Sequence, residues 1–439
     1  MAKTIAIIGA GYTGLSAATE LKLNGFDVEV FESTGKAGGL AKGIQICDHD
    51  WPLEPFYHHW FNKERAISDL ANVHGLQDII KTYTPNTSFL INSKIKPFDK
   101  AQHILSYPGL SISDRYKLGK SLAFLRVTKK WRALEKVTAE KWLLENMGRN
   151  VYEKIWQPML IGKWGNYYNR INMAWFWARI YVRTKKLMYP NGGFQTFTDK
   201  IVEKLETMDV RFHFNQEIKS IVNDDDNVII ETEVGKKHFD IVLLTVGPKI
   251  LLNLVKKLPS DYENNLKKHC TVGAICALFV LKKPIMEKTY WLNIPAKNTD
   301  LLNNELPFLV FVEHTNMISP KHYSGNHIVY CGNYFNHDDK LFENDDIYFK
   351  ELYFSGIKKV FSDITKKNIL KSIIHRTEYA SPVFFTNHSA QVPKFETPHK
   401  NIFWASMGHV YPWDRGTNYA VDIGKKVTKN ILNKININE

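Results

Sequence analysis

Gly9-Ala10-Gly11-Tyr12-Thr13-Gly14 places three glycines in a short turn directly after the apolar run Lys3 to Ile8. Between a strand and a helix, such a turn holds phosphate. Gly9 permits the tight bend, Gly11 lets the backbone approach a pyrophosphate, and Gly14 lets helix and strand pack closely. The phosphate rests on the free N–H groups of the helix start, with Thr13 in the same turn. The following strand-like run ends at Glu32, where a carboxylate can accept the ribose hydroxyls of an adenosine. That acid repels a 2′-phosphate, which counts against NADP. A second glycine pair, Gly38-Gly39 followed by Leu40, comes just past the acid.

Other residues have types suited to catalysis. His58 and His59 sit together in Glu54-Pro55-Phe56-Tyr57-His58-His59-Trp60-Phe61. A histidine there serves as a base or a substrate contact, or else packs as an ordinary half-buried ring. Arg415 offers a planar fork for a carboxylate or phosphate; the equal alternative is a salt bridge to Asp414 or another acid. Lys163, between Gly162 and Trp164, reads as a solvated side chain rather than a substrate contact. No Ser/His/Asp nucleophile arrangement and no metal-spaced cluster occurs, so no metal is expected.

The elements that position these residues follow from the apolar periodicity. Residues 3–8 and 28–32 read as strands around a helix from Tyr12 to Asn24, a βαβ unit. Residues 64–182 read as mostly helical, with Ser111 or Ser113 and Thr138 as N-caps. A helix over 195–206 precedes short strands at 210–214, 218–222, 228–233 and 240–245. Strands at 272–281, 307–313 and 327–331 form a second sheet. A buried strand at 402–406 and a helix from Thr417 to Asn433 close the chain.

Several of these segments resemble the flavin amine oxidase and protoporphyrinogen oxidase-like superfamily, and the resemblance covers most of the chain. In those relatives a glycine pair after the acid separates FAD sites from NAD sites, so Gly38, Gly39 and Leu40 are expected along the FAD pyrophosphate and ribityl chain. Gln216 to Ile221 resembles the segment whose backbone holds adenine, through Ile218 here. Asp240 to Pro248 is similar to the strand and Thr-x-x-Pro turn of the family. Tyr189 to Gln195 resembles its Gly-Gly-x-Gln element, and Trp156 to Gly165 the stretch that lines the substrate cavity. The loop 54–61 also resembles the histidine-bearing loop of UDP-galactopyranose mutases.

The C-terminal element departs from the pattern. Relatives have Gly-Asp or Gly-Glu after the last strand, where this chain has Ser406-Met407. The helix start at Thr417, Asn418 and Tyr419 still suits stabilisation of negative charge on a flavin. Asp414 is the candidate substitute for the missing acid.

The implied architecture is α/β. A Rossmann-type FAD-binding domain of residues 1–80, 190–260 and 390–439 is interrupted by an α+β substrate domain, a helical segment plus antiparallel sheet, of 81–189 and 261–389. FAD-binding residues are then Gly9, Gly11, Thr13, Gly14, Glu32, Gly38, Gly39, Leu40, Ile218, Met407, Thr417, Asn418 and Tyr419. His58, His59 and Arg415 are the catalytic candidates. The implied activity is oxidation or desaturation of a small or lipophilic substrate by hydride transfer to flavin N5. Two alternatives stand beside it: isomerisation without net redox, as in the mutases, and a non-catalytic flavin-bound protein at a membrane surface.

Bulk properties narrow the setting. With 439 residues, 44% hydrophobic and 23% charged, the chain is globular and long enough for two domains. Its net charge is +13, with 58 Lys and Arg against 45 Asp and Glu. That excess suits a phosphorylated substrate or an anionic membrane, or is a lysine-rich surface without specific meaning; no nucleic-acid partner is expected. The four cysteines lack metal or CxxC spacing, and no signal peptide or membrane span is read, which points to the cytoplasm. Between Arg115 and Lys136, eight basic residues face only Glu135, with aromatic and leucine residues between them. This segment is either a patch on the inner membrane face or a packed helix. Leu118, Leu122 and Leu125 form one apolar arc and Phe124, Val127, Trp131 and Leu134 another, which favours packing on two sides.

Overall fold

A computed structural model of the chain describes residues 3–224, 227–300, 303–336 and 339–438. Thr4–Ile8 is apolar at nearly every position and buried beyond its first residue, the pattern of an inner parallel strand. It pairs in parallel with Asp27–Phe31 on one side and Ile241–Leu244 on the other. Arg211–His213 and Ile402–Trp404 complete the two edges, giving a five-stranded parallel sheet. Helix Tyr12–Leu23 crosses between the first two strands, and Thr417–Asn438 returns to pack against it. The two helices lie close because Gly424 has no side chain: a Cβ there would fall 2.6 Å from the Thr13 carbonyl oxygen. Ser16 Oγ donates to the Val421 carbonyl at 2.8 Å across the same contact. The last helix is therefore held on the first phosphate-type turn, although some 400 residues separate them in sequence.

A small antiparallel sheet, Ile218–Asp224, Asn227–Thr232 and Gly235–Phe239, sits beside the parallel one. A third sheet of seven strands has Thr271–Leu281 at its heart, buried at all 11 positions and paired with His327–Asn336 and Ile369–Pro382. It is antiparallel except where Thr289–Asn293 runs parallel to Asn86–Ile91. The architecture is α/β, as expected, with helices and largely antiparallel sheet beside the parallel unit.

Three departures from the sequence reading are instructive. The stretch read as mostly helical contains three strands, Ile80–Tyr83, Asn86–Ile91 and Lys94–Pro97, whose partners lie elsewhere in the fold or across a short hairpin. Strand Ile369–Pro382 and helix Asp346–Val360 had no counterpart in that reading. The third concerns the basic helix, Ile112–Val127, begun by Ser111 with a capping box to Asp114. Its first arc is buried at Leu118 and Leu125, but of the second arc Phe124 is 46% exposed and Val127 75%. Ile112 and Tyr116 are also open, at 88% and 70%. The second arc is covered only in part: Phe124 stacks on Trp142 of helix Ala139–Met147 and Leu134 is buried, while Val127 stays open.

Candidate functional site

A cavity of about 1350 Å³ is lined by both the Gly9–Gly14 turn and the loop 54–61. At one end two glycine turns face each other. A Cβ on Gly39 would lie 3.2 Å from Gly11 Cα, and Gly39 has φ +58°. A Cβ on Gly11 would meet nothing nearer than Gly39 Cα at 3.8 Å, so the space it would fill is open. No side chain caps the helix that starts at Tyr12, which leaves its first N–H groups without a side-chain acceptor. Glu32 lines the same end; its carboxylate accepts from Ala10 N at 3.0 Å and from Thr34 N and Oγ1 at 3.0 and 2.7 Å. An uncapped helix start, a passage with no side chains and a fixed acid beside it fit a dinucleotide such as FAD.

The turns are held by residues far away in sequence. Thr245 Oγ1, following strand Ile241–Leu244, donates to the carbonyls of Ile8 and Gly9, each at 3.0 Å. Gln195, in helix Gly193–Glu206, accepts from Gly43 N at 2.8 Å and donates to Ala37 O at 3.2 Å. It thereby ties down the loop that carries Gly38 and Gly39. The start of its helix is met by Glu54, whose carboxylate accepts from Phe194 N at 2.9 Å and from the Tyr189 hydroxyl. Burial pushes the Glu54 carboxyl up to about 7, opposed by those donors.

The loop after Glu54 runs along the cavity. His58 Nδ1 lies 2.6 Å from the Phe56 carbonyl, which only accepts, so Nδ1 carries the proton and Nε2 is left as acceptor. Burial, aided by Arg415, lowers the His58 ring to about 4. His59 contacts the Tyr290 hydroxyl at 3.2 Å, and burial with Arg183 and His58 nearby takes it to about 3. Both rings are neutral at pH 7. Trp60 Nε1 donates to Thr417 Oγ1, joining this loop to the closing helix.

Arg415 lies at the loop that leads into that helix. Its guanidinium donates to the Tyr334 hydroxyl and lies 5.0 Å from the centre of that ring. The alternative pairing with Asp414 is not found, because Arg179 forms that ion pair and Trp175 Nε1 adds a hydrogen bond at 3.3 Å. Asp414 is thus engaged by Arg179, whatever it replaces. Lys163 requires correction: it is 7% exposed, with Nζ 3.8 Å from the centre of the Tyr334 ring. Burial, then Arg415, holds its amine well below the usual lysine range. The helix Gln157–Trp164 turns Lys163 inward because Leu160, Ile161 and Trp164 around it are buried as well.

Of the expected residues, Gly9, Gly11, Thr13, Glu32, Gly38, Gly39, Leu40, Met407, Thr417 and Tyr419 line the cavity, as do His58, His59 and Arg415. Gly14, Ile218 and Asn418 do not. Gly14 meets the strand–helix turn itself, where a Cβ would fall 2.0 Å from Gly9 O. Ile218 packs with Ala6, Ile8 and Phe31. Asn418 Oδ1 accepts from Ile67 N at 3.0 Å, a contact between helices. Sequence reasoning passed over Glu54, Arg179 and Arg183. The signal for the arginines was two cations four residues apart in an otherwise apolar, aromatic helix, Met173–Val182 and its C-cap. Among the described residues no His, Cys, Asp and Glu group could hold a metal, the four cysteines are free, and no helix is long and apolar enough to cross a membrane.

Residues 12–432 match the profile of the flavin containing amine oxidoreductases. A coproporphyrinogen III oxidase of Staphylococcus aureus is 22% identical over 320 residues, covering 64% of this chain and 68% of that one. A 1-hydroxycarotenoid 3,4-desaturase of a Flavobacterium is 26% identical over 319 residues, 64% of each chain. The crystal structure of a reduced UDP-galactopyranose mutase superposes with a TM-score of 0.75 at 16% identity, over 98% of this chain and 96% of that one.

Proposed function

The chain belongs to the flavin-containing amine oxidoreductase family, and on that premise we propose that it oxidises or desaturates a small or lipophilic substrate held in the cavity beside His58, His59 and Arg415. It is an FAD-dependent oxidoreductase. When bound, FAD would supply the two-electron acceptor for the substrate's oxidation. The chain's part is to hold, orient and shield. The observation that carries this reading is the continuity of the cavity, from the glycine turns and Glu32 to an aromatic chamber lined by Trp156, Trp175 and Trp291. Gly9, Gly11, Thr13, Gly38, Gly39 and Leu40 would hold the pyrophosphate side, and Glu32 the ribose. Met407, Thr417 and Tyr419 would meet the ring end, where uncancelled N–H groups favour negative charge. His58, neutral with Nε2 free to accept, would be the group to take a proton from substrate. The division into 1–80, 190–260 and 390–439 against 81–189 and 261–389 is the domain boundary we adopt, with the parallel sheet in the first part.

Purified protein is expected to be yellow and to release about one FAD per chain on heating. Glu32→Ala should weaken FAD binding by about 1–3 kcal/mol, the effect of removing a charged hydrogen-bond acceptor. A folded, colourless preparation that takes up no added FAD would overturn the reading.

The histidine-bearing loop along the cavity supports a second reading, isomerisation without net redox. Turnover that appears only after the flavin has been reduced would select it.

Peripheral membrane contact is part of the proposal. Ile112, Tyr116, Phe124 and Val127 stand open on a helix carrying Lys117, Lys120 and Arg126. Sedimentation with anionic liposomes should therefore occur at low salt and weaken as the ionic strength rises past about 0.15 M. Protein that stays in the supernatant at all salt concentrations would remove this contact.

A further inference from the structure

The cations of the cavity outnumber the acids able to neutralise them. Lys163, Arg179, Arg183 and Arg415 all line it, from the helices Gln157–Trp164 and Met173–Val182 and from the loop before Thr417. Arg179 bears on Lys163, Arg183 and Arg415 alike, and Arg415 bears on Lys163. Each carboxylate that lines the cavity is already engaged. Glu32 is held by Ala10 and Thr34, and Glu378 pairs with Lys249 at 2.8 Å. Glu64 accepts from Phe61 N at 3.0 Å. Asp414 goes to Arg179.

Two guanidiniums and one buried amine are left without a carboxylate of their own. Among the described residues the Arg183 guanidinium makes no hydrogen bond or ion pair, and Arg415 has only Tyr334. Lys163, nine-tenths buried, lies against the faces of Tyr334 and Trp164, and the acid that bears on it, Asp414, is already paired with Arg179. Burying like charges without a counter-ion is strongly unfavourable, so a site built this way is completed by an anion. The surrounding wall is apolar: Phe176, Ile180, Trp291, Ile294 and Leu309.

We infer that the substrate carries a carboxylate or phosphate on an apolar body, and that Lys163, Arg183 and Arg415 bind that anionic group. The inference rests on the cavity being the substrate site of the FAD enzyme proposed above. It separates this chain from enzymes for simple amines, since a substrate cation would meet the Arg183 and Arg415 guanidiniums, and each carboxylate lining the cavity is already hydrogen-bonded. A planar guanidinium pair around an oxyanion also fixes orientation, which a lone lysine would not.

The test uses FAD-loaded protein titrated separately with inorganic phosphate, succinate and benzylamine, read by thermal unfolding and by the visible flavin spectrum. Phosphate or succinate is expected to bind saturably and raise the unfolding midpoint, and benzylamine to do neither. The stronger of the two anions identifies phosphoryl or carboxyl as the group. Arg183→Gln and the near-isosteric Lys163→Met should each weaken anion binding about tenfold or more with FAD content unchanged. Anion binding that is absent, or equal in parent and variants, overturns the inference, as does saturable binding of benzylamine. FAD loss in either variant would assign the cluster to the cofactor and overturn it too. Colourless protein that still binds the anion through these residues would instead sink only the FAD reading.

Discussion

Gly11→Ala should leave the fold intact and lower FAD affinity about 10- to 100-fold, whereas Gly14→Ala should damage both. At Gly11 the backbone has φ −75° and ψ 175°, open to any L residue. A Cβ there meets no protein atom closer than 3.8 Å, so the stability of the cofactor-free protein should change by less than about 1 kcal/mol. The methyl instead enters the space proposed for the pyrophosphate, and crowding a fitted contact costs about 1–3 kcal/mol. At Gly14 the added Cβ falls 2.0 Å from Gly9 O and 3.2 Å from Gly9 C, both backbone. The turn has to move, and with it the strand–helix contact, for an expected loss of about 3 kcal/mol or more. Thermal unfolding of both variants, with FAD per chain measured after heat release, separates the two effects. Parental FAD occupancy in Gly11→Ala would place the cofactor elsewhere.

His58→Ala or His59→Ala should retain FAD yet slow flavin reduction by substrate about 10²–10⁴-fold if that ring is the base, and little if it only packs. The pH dependence distinguishes this base from an ordinary histidine. Burial holds His58 near 4 and His59 near 3, so kcat/KM should fall only as the pH drops through about 4. An unperturbed imidazole would place that limb near 6.5. A substrate-free check exists: both rings should stay neutral by NMR down to about pH 5. Protonation of either near pH 6.5 would refute the buried assignment. The same shifts act on stability. Between about 6.5 and 4 the unfolded rings take up protons that the folded ones refuse, so these two sites lose stability as the pH falls through that window. Glu54 works oppositely: its folded carboxyl, near 7, stays protonated where the unfolded one ionises, so its contribution fades as the pH rises from about 4.5 to 7.

Much of the cofactor end was legible in the residues themselves. Gly9, Gly11, Gly14 and Glu32 are constrained by local sterics: a tight turn, a backbone approach and an acid at the end of the next strand. Each demand falls on a few consecutive residues, so type and spacing reveal it. The strands Thr4–Ile8, Ile241–Leu244 and Ile402–Trp404 were visible for a similar reason, since buried parallel strands are nearly continuous apolar runs. Asn86–Ile91 and Ile369–Pro382 were not, because their amphipathic pattern acquires meaning only from partners distant in sequence.

What the tertiary structure alone decided was which polar groups meet. Lys163 reads as solvated by its type, and only the packing of Leu160, Ile161 and Trp164 turns it into the cavity. Arg415 adjoins Asp414 in sequence, yet Arg179, about 235 residues away, takes that carboxylate and leaves Arg415 on Tyr334. The second arc, Phe124, Val127, Trp131 and Leu134, reads as a packing face, yet only Leu134 is buried, Phe124 is half-covered by Trp142 and Val127 stays open. Burial and charge pairing depend on where distant segments are placed. The local chain determines the turn that a dinucleotide needs; the competition among Asp414, Arg179, Arg183, Lys163 and Arg415 is settled only when three separate elements close around one space.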